Sequence, residues 1–277
     1  MAGLSVTQHS DIAGEQMLDR LSSIASQAAA AILAVRDAAA TRRDKPDRSP
    51  VTAADEAAEA VILEGLRKLM PELPVVSEEA AGRGAAVTTG ERFFLVDPLD
   101  GTREFLAGND EYVVNIALVQ NGVPVIGVIA APAKGLLWRG AVGRGAERLT
   151  LPPGALPQTA SARAAIKSRA RPKGALQVLL SRSHPDAATE NYVARLPQAE
   201  IVRYGSALKF CLLAEGSADL YPRLGPISQW DIAAGHALLV AAGGAIAAPD
   251  GTALRYGGAN YLMPGFIAWG DRSSATA

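Results

Sequence analysis

Cysteine is almost missing from this sequence: Cys211 stands alone, so no intramolecular disulfide can form and the chain needs no oxidising compartment. Its setting, Phe210-Cys211-Leu212-Leu213-Ala214, is that of a buried structural thiol rather than a nucleophile. An excess of charge of one sign is missing too. Lys plus Arg number 27 against 28 Asp plus Glu, for a net charge of -1. No global field gathers nucleic acid or anionic lipid, and a small ligand is the easier partner. Long hydrophobic runs are also lacking. The run from Ala28 to Val35 is interrupted by Arg36 and Asp37, too early to span a bilayer, and the start of the chain lacks the basic-then-apolar order of a secretory signal. The expectation is a cytoplasmic protein without a transmembrane segment. No internal repeat is visible.

What is present is an ordinary globular balance, with 277 residues, 49% hydrophobic and 20% charged. Single cores usually stop growing at roughly 250 residues, so two modest domains sharing a cleft are favoured. Leu18, Leu21, Ile24, Ala28, Ile32 and Val35 recur at helical spacing and predict a long helix over residues 11–40, ended by the charged break 41–50. A second helix is expected from Thr52 to Met70, with Thr52 as cap and Asp55 three residues on. Strand-like runs follow at 74–77, 92–96, 112–119, 124–131 and 136–142, with Asn121-Gly122 as a turn. Residues 143–171 are rich in Gly, Pro, Ala and Arg and show no period, so the junction is placed there, dividing the chain into 1–155 and 156–277. After it, strands and helices alternate: strands at 176–181, 201–203 and 218–221, helices at 186–196, 206–215 and 230–242. The fold class is α/β, with an α+β first half on a mainly antiparallel sheet and an α/β second half.

The stretch most suggestive of chemistry is Phe93-Phe94-Leu95-Val96-Asp97-Pro98-Leu99-Asp100-Gly101-Thr102, a buried-looking strand running into a turn with two carboxylates. Pro98 fixes one backbone angle and Gly101 permits a tight exit. Asp97 and Asp100 can then share one space with the Leu99 carbonyl beside them. Hard cations take such oxygens, and two acids held close in a partly dry site repel unless a cation lies between them. Glu78-Glu79 and Trp230-Asp231 are further acidic points at element ends. Each has a plainer alternative: Glu78 and Glu79 as solvated loop acids, Asp231 and Asp55 as helix caps.

Three motifs in order, Glu78-Glu79, Asp97-Pro98-Leu99-Asp100-Gly101-Thr102 and Trp230-Asp231-Ile232-Ala233-Ala234-Gly235, resemble those of the inositol monophosphatase superfamily, lithium-sensitive phosphatases that depend on magnesium. Within it, the sequence is most similar to the bacterial 3'(2'),5'-bisphosphate nucleotidases. That likeness is carried by Ser49-Pro50-Val51-Thr52-Ala53-Ala54-Asp55, Ser181-Arg182-Ser183-His184, Gly205-Ser206-Ala207-Leu208-Lys209-Phe210-Cys211 and Tyr221-Pro222-Arg223-Leu224-Gly225-Pro226. It departs from the bacterial pattern at Ile227-Ser228-Gln229, beside the expected cleft.

The resemblance implies a layered αβαβα sandwich of the inositol monophosphatase and fructose-1,6-bisphosphatase type. It further implies that Glu78, Asp97 and the Leu99 carbonyl hold one Mg2+ while Asp97, Asp100 and Asp231 hold a second, with a third, weaker position near Asp55. One ion would activate a water and the other offset charge on the leaving oxygen. Asp55, Glu78 and Thr102 would be catalytic, orienting that water, and Gly101 and Thr102 would offer amides to the phosphate. His184, Lys209 and Arg223 would hold a second phosphate, and Gly205, Ser206 and Tyr221, with Asp231, would complete the substrate contacts.

The implied reaction removes the 3'-phosphate of adenosine 3',5'-bisphosphate to give AMP, with the 5'-phosphosulfate analogue as a second substrate, in the setting of sulfur metabolism. Two alternatives remain: an inositol or broad sugar phosphatase with the same metals, and a non-catalytic relative that binds a regulatory or RNA-machinery partner. Monomer and homodimer are both open, as is peripheral attachment to the inner membrane, which no residue here encodes.

Overall fold

The computed structural model describes residues 6–36, 42–44, 50–84, 87–258 and 260–276. The chain opens with α1 (Val6–Arg36), an antiparallel pair β1 (Arg42–Asp44) and β2 (Pro50–Thr52), and α2 (Ala53–Leu69). Both expected helices are present. Thr52 ends a strand instead of opening the helix; its capping role concerns a side chain outside those described, and Ser49 lies outside the described residues altogether.

There follow β3 (Val75–Ser77), α3 (Glu78–Gly82), β4 (Arg92–Asp100), α4 (Thr102–Leu106), β5 (Val113–Gln120), β6 (Val123–Ala131), β7 (Leu136–Ala141), β8 (Gly145–Thr150) and β9 (Ala162–Ile166). The strands form one seven-stranded sheet in that order. It is antiparallel except where β3 joins β4. Asn121 and Gly122, at φ 51° and 72°, turn β5 into β6, the left-handed pair that an Asn-Gly hairpin provides.

One expectation fails. The aperiodic stretch 143–171 contains β8 and β9, which extend the first sheet to Ile166. Ala162 to Ala165 are exposed, so the edge strand β9 has no buried face to write an apolar alternation into its sequence.

The second half contains β10 (Leu176–Ser181), α5 (Ala187–Val193), β11 (Ala199–Tyr204), α6 (Leu208–Ala214), β12 (Leu220–Arg223), β13 (Ile227–Ser228), α7 (Gln229–Ala241), β14 (Ala245–Ala247), β15 (Leu262–Met263) and β16 (Phe266–Trp269). A five-stranded sheet runs β11-β10-β12-β16-β14, and β13 pairs with β15. β10 is parallel to β11 and β12, as the α/β alternation predicts; β16 is antiparallel to β12 and β14.

Side chains of β4 alternate between two cores. Phe94 and Val96 face a cluster that includes Leu21, Ile32 and Ile62 of α1 and α2. Phe93 and Leu95 face one that includes Phe210 of α6 and Leu238 of α7. Burying either phenylalanine contributes about 2 kcal/mol. On the far side of the second sheet, Val193 of α5 packs with Val178 and Leu220. The layers are therefore α1/α2, sheet, α6/α7, sheet, α5: the expected αβαβα sandwich.

The middle layer explains why α7 lacks a polar stripe, since residues 232–239 are all buried. It also presses on β6: a Cβ at Gly127 would lie 2.1 Å from the Ala234 carbonyl oxygen, so only glycine admits the helix this close. Arg139 of β7, itself buried, ties α1 to the sheet through Asp19 (2.5 Å) and Glu147 (2.7 Å). Cys211 is buried in α6, and burial pushes its thiol well up, as a structural thiol requires. No helix among the described residues is long and apolar enough to cross a membrane.

Candidate active site

The acid-bearing turn is the bulged end of a strand. Asp97 pairs with Asn115 and Asp100 with Val113, so β4 carries one residue more than β5 between those pairs. Pro98 has no amide to give the ladder, which makes the bulge inexpensive there. Asp97 Oδ1 accepts from the Leu99 amide at 3.1 Å, and Thr102 Oγ1 donates to the Leu99 carbonyl at 3.1 Å. Gly101 then adopts φ 94°, and a Cβ on it would lie 2.9 Å from the Glu111 carbonyl oxygen. Both the angle and the space call for glycine.

Around this bulge the fold gathers acids from three elements. Glu78 opens α3, directly after β3; Asp97 ends the regular part of β4; Asp231 lies in the first turn of α7. One carboxylate oxygen from each lies within 4.8 Å of the others. Asp97 is 1% exposed. Burial first, then Glu78, Asp100, Asp231 and Asp55, hold its carboxyl well above the usual carboxylate range. Burial, then Asp100 and Glu78, do the same to Asp231, which is therefore no mere helix cap: Ser228 occupies that position.

Asp100 is pushed up to about 6 by burial, against Lys209, the Ala207 amide and Asn115, which favour its charged form. It accepts from Ala207 N at 2.6 Å and from Asn115 Nδ2 at 3.3 Å. Carboxylates forced together in a dry site are costly unless a cation shares them. The donors of this cluster are oxygens alone, which suits a hard divalent ion such as magnesium rather than a thiolate- or imidazole-seeking one.

The cleft, of about 300 Å³, is lined by Glu78, Asp97, Leu99, Asp100, Gly101, Thr102, His184, Ser206, Lys209, Tyr221, Arg223 and Asp231 among others. Two candidates do not line it. Asp55 is buried in the first turn of α2, within electrostatic reach of Asp97. Gly205 lies behind the lining, its amide donating to Glu111 Oε2 at 2.7 Å.

Lys209 is buried, not snorkelling: Nζ donates to the carbonyls of Ser206 (2.6 Å) and Tyr204 (3.1 Å) and lies 5.2 Å from the Tyr221 ring centroid. Burial lowers it to about 8, although Asp100 favours its charged form. Burial, Arg103 and Arg223 lower His184. Burial raises the Tyr221 hydroxyl, leaving it a proton donor.

Sequence reasoning missed Glu104 and Glu111. Glu104 is buried, lines the cleft and accepts from Ser183 Oγ. Glu111 takes the Arg182 guanidinium on both oxygens (2.9 and 2.8 Å) as well as the Gly205 amide. Burial pushes the Glu111 carboxyl up, but these donors outweigh it and hold the group below the usual range. The only signal was Glu104's place two residues after Thr102; nothing local marks Glu111.

A profile described as the inositol monophosphatase family matches residues 15–273, nearly the whole sandwich and all the acids of the cleft. The chain belongs to that family. Among its relatives is the 3'(2'),5'-bisphosphate nucleotidase CysQ of Salmonella typhimurium, 44% identical over 90% of this chain and 98% of that protein. Among solved structures, CysQ from Bacteroides thetaiotaomicron, a bacterial member of the family, superposes with a TM-score of 0.73 at 36% identity, covering 89% of this chain and 94% of its own. An inositol monophosphatase from Anabaena reaches the same TM-score, 0.73, at 29% identity over 95% and 93% of the two chains.

Proposed function

We propose that this protein removes the 3'-phosphate of adenosine 3',5'-bisphosphate, giving AMP and phosphate in a magnesium-dependent reaction, and treats the 5'-phosphosulfate analogue alike. The observation that carries this reading is one cleft lined both by Glu78, Asp97, Asp100 and Asp231 and by Lys209 and Arg223. Acids alone suit any metal-dependent phosphatase; the added bases suit a substrate with a second phosphate. The nucleotidase relative at 44% identity supports the same choice.

When bound, magnesium supplies a Lewis acid that offsets charge on the transferred phosphoryl group and its leaving oxygen. Glu78, Asp97 and the Leu99 carbonyl would hold one ion, Asp97, Asp100 and Asp231 a second, with Asp55 near a third. Thr102 spends its proton on the Leu99 carbonyl, which leaves its lone pairs to accept from, and so aim, an attacking water together with Glu78. The amides of Gly101 and Thr102 serve the phosphate oxygens.

Two of the three ammonium protons of Lys209 go to the Ser206 and Tyr204 carbonyls, which leaves the third for the second phosphate beside Arg223. His184, its pKa lowered, serves there as a neutral hydrogen-bonding group. Ser206 and Tyr221 contact ribose or base. In this reading the chain through β9 supplies most metal-holding groups and the Gly101 and Thr102 amides, and the chain after it supplies Asp231 and the remaining substrate contacts.

The test is phosphate release from adenosine 3',5'-bisphosphate and inositol 1-phosphate in parallel, with magnesium and then with EDTA. The expected result is magnesium-dependent preference for the nucleotide. Preference for inositol 1-phosphate would overturn the roles of Lys209 and Arg223, and inactivity on both would overturn the phosphatase reading.

A further inference from the structure

We infer that Glu59, a residue of α2 outside the cleft lining, is a positioning residue that aims Glu78 into the metal cluster. The inference rests on the proposed reading of Glu78 as a magnesium ligand. Glu59 is 5% exposed, too buried to be a solvated helix acid, and a charge so placed needs partners. Its Oε1 accepts from Ser77 Oγ at 2.5 Å and from the Ala80 amide at 3.1 Å, and its Oε2 from Arg83 Nη2 at 2.6 Å. These partners bracket Glu78 in the chain, one before it and two after.

The arrangement departs from ordinary helix capping. Ser77 is the N-cap residue of α3, yet its hydroxyl makes no capping bond to that helix, the usual duty of a serine there. It donates to Glu59 instead, and Glu59 takes over the Ala80 amide that the serine would have served. Residues on both sides of Glu78, the Ser77 hydroxyl before it and the Ala80 amide after it, are thereby held by a carboxylate from a different helix. Such outer hydrogen bonds set the aim of a ligand, and their loss typically weakens metal affinity by about 10- to 100-fold.

Mn2+ titrated calorimetrically into the full chain measures this without reference to turnover. Glu59→Leu keeps the bulk and removes the acceptors, and is expected to weaken Mn2+ binding about tenfold or more, while the KM for nucleotide at saturating magnesium stays at the wild-type value. Glu59→Gln keeps an oxygen for Ser77 and Ala80 and loses the charge together with the acceptor for Arg83; it is expected to retain most of the affinity. Should it fall as far as Glu59→Leu, the charge and its pairing with Arg83, rather than the aim set through Ser77 and Ala80, would be the cause, and the positioning role would be overturned.

Ser77→Ala, which leaves Glu59 in place, should weaken binding in the same direction and carries the test if Glu59→Leu does not fold; unchanged binding in the folded variant overturns the inference. Glu78→Gln separates the two readings. If it binds Mn2+ as the wild type does, the assignment of Glu78 itself fails; if it loses binding while Glu59→Leu does not, only the role of Glu59 fails.

Discussion

The two linings of the cleft are built by different means. The acidic one is set mostly by main-chain ladders: Glu78 follows a strand paired to β4, Asp97 and Asp100 flank a bulge paired to β5, and Asp231 alone comes from a helix, α7. The basic one mixes a ladder with side chains reaching backbone: Arg223 ends β12, paired to β16, while Lys209 holds the carbonyls of residues 204 and 206 and Glu111 holds the Gly205 amide and Arg182. A ladder fixes atoms cooperatively, whereas single side-chain bonds can be lost one at a time. On the proposed reading the chemistry would rest mostly on the cooperatively held ladder, and selectivity partly on single bonds that can be changed without unfolding the sheet.

That contrast breaks most decisively at Asp97. Asp97→Asn is expected to reduce turnover of every substrate by about 10³-fold, roughly 4 kcal/mol of barrier. A carboxyl held above its ordinary pKa by burial and like charges destabilises the fold while ionised. Calorimetric melting in EDTA should therefore show the variant no less stable than wild type. Full activity in Asp97→Asn would end its assignment as the shared ligand.

Next in size is Arg223→Gln, on the other lining. Loss of a charged hydrogen bond to phosphate costs about 1.5–3 kcal/mol, so the nucleotide KM should rise roughly 10- to 100-fold while inositol 1-phosphate kinetics stay level. An equal loss on both substrates would mean that the linings do not divide the work.

A pH series sharpens the same point. Lys209, lowered to about 8 by burial, is charged below that pH and loses its charge above it. The nucleotide KM should climb as pH rises through about 8, by up to about tenfold per unit, with no matching climb for inositol 1-phosphate. A flat nucleotide profile would remove Lys209 from phosphate binding. The smallest effect is expected of Glu111→Gln, which trades an ion pair with half-exposed Arg182 for a weaker bond. Such pairs are worth up to about 1 kcal/mol, so a few-fold rise in nucleotide KM with unchanged Mn2+ affinity is the anticipated outcome.

Legibility in the sequence follows the same division. The acid-bearing turn was readable, though not as a bulge within β4, because Asp97, Pro98, Asp100 and Gly101 are close in the chain and Pro98 and Gly101 each limit the backbone in its own way. The helices α1, α2 and α7 and strands β4 to β7 were readable because burial imposes a period or an apolar run. β9 was not, since exposed edge positions accept Arg and Ala alike, and the interior strand β8 was not, since Leu149 is its one buried residue and no apolar alternation shows. Glu59 and Glu111 were invisible for another reason: each acts on residues distant in sequence, so no local spacing betrays it. Lys209 was visible as a base, but not as a buried one tied to the turn before its own helix.

The close approach of α7 to β6 bears on which substitutions this enzyme can tolerate. Gly127 lies under Ala234, a single turn beyond Asp231, with no room for a methyl group. Any replacement there must lift the helix and, with it, the start that carries Asp231. In a saturation library Gly127 should score among the dead positions alongside the acids of the cleft, although it does not line that cleft. A tolerance map would then trace a spacer between sheet and helix as sharply as it traces the cleft.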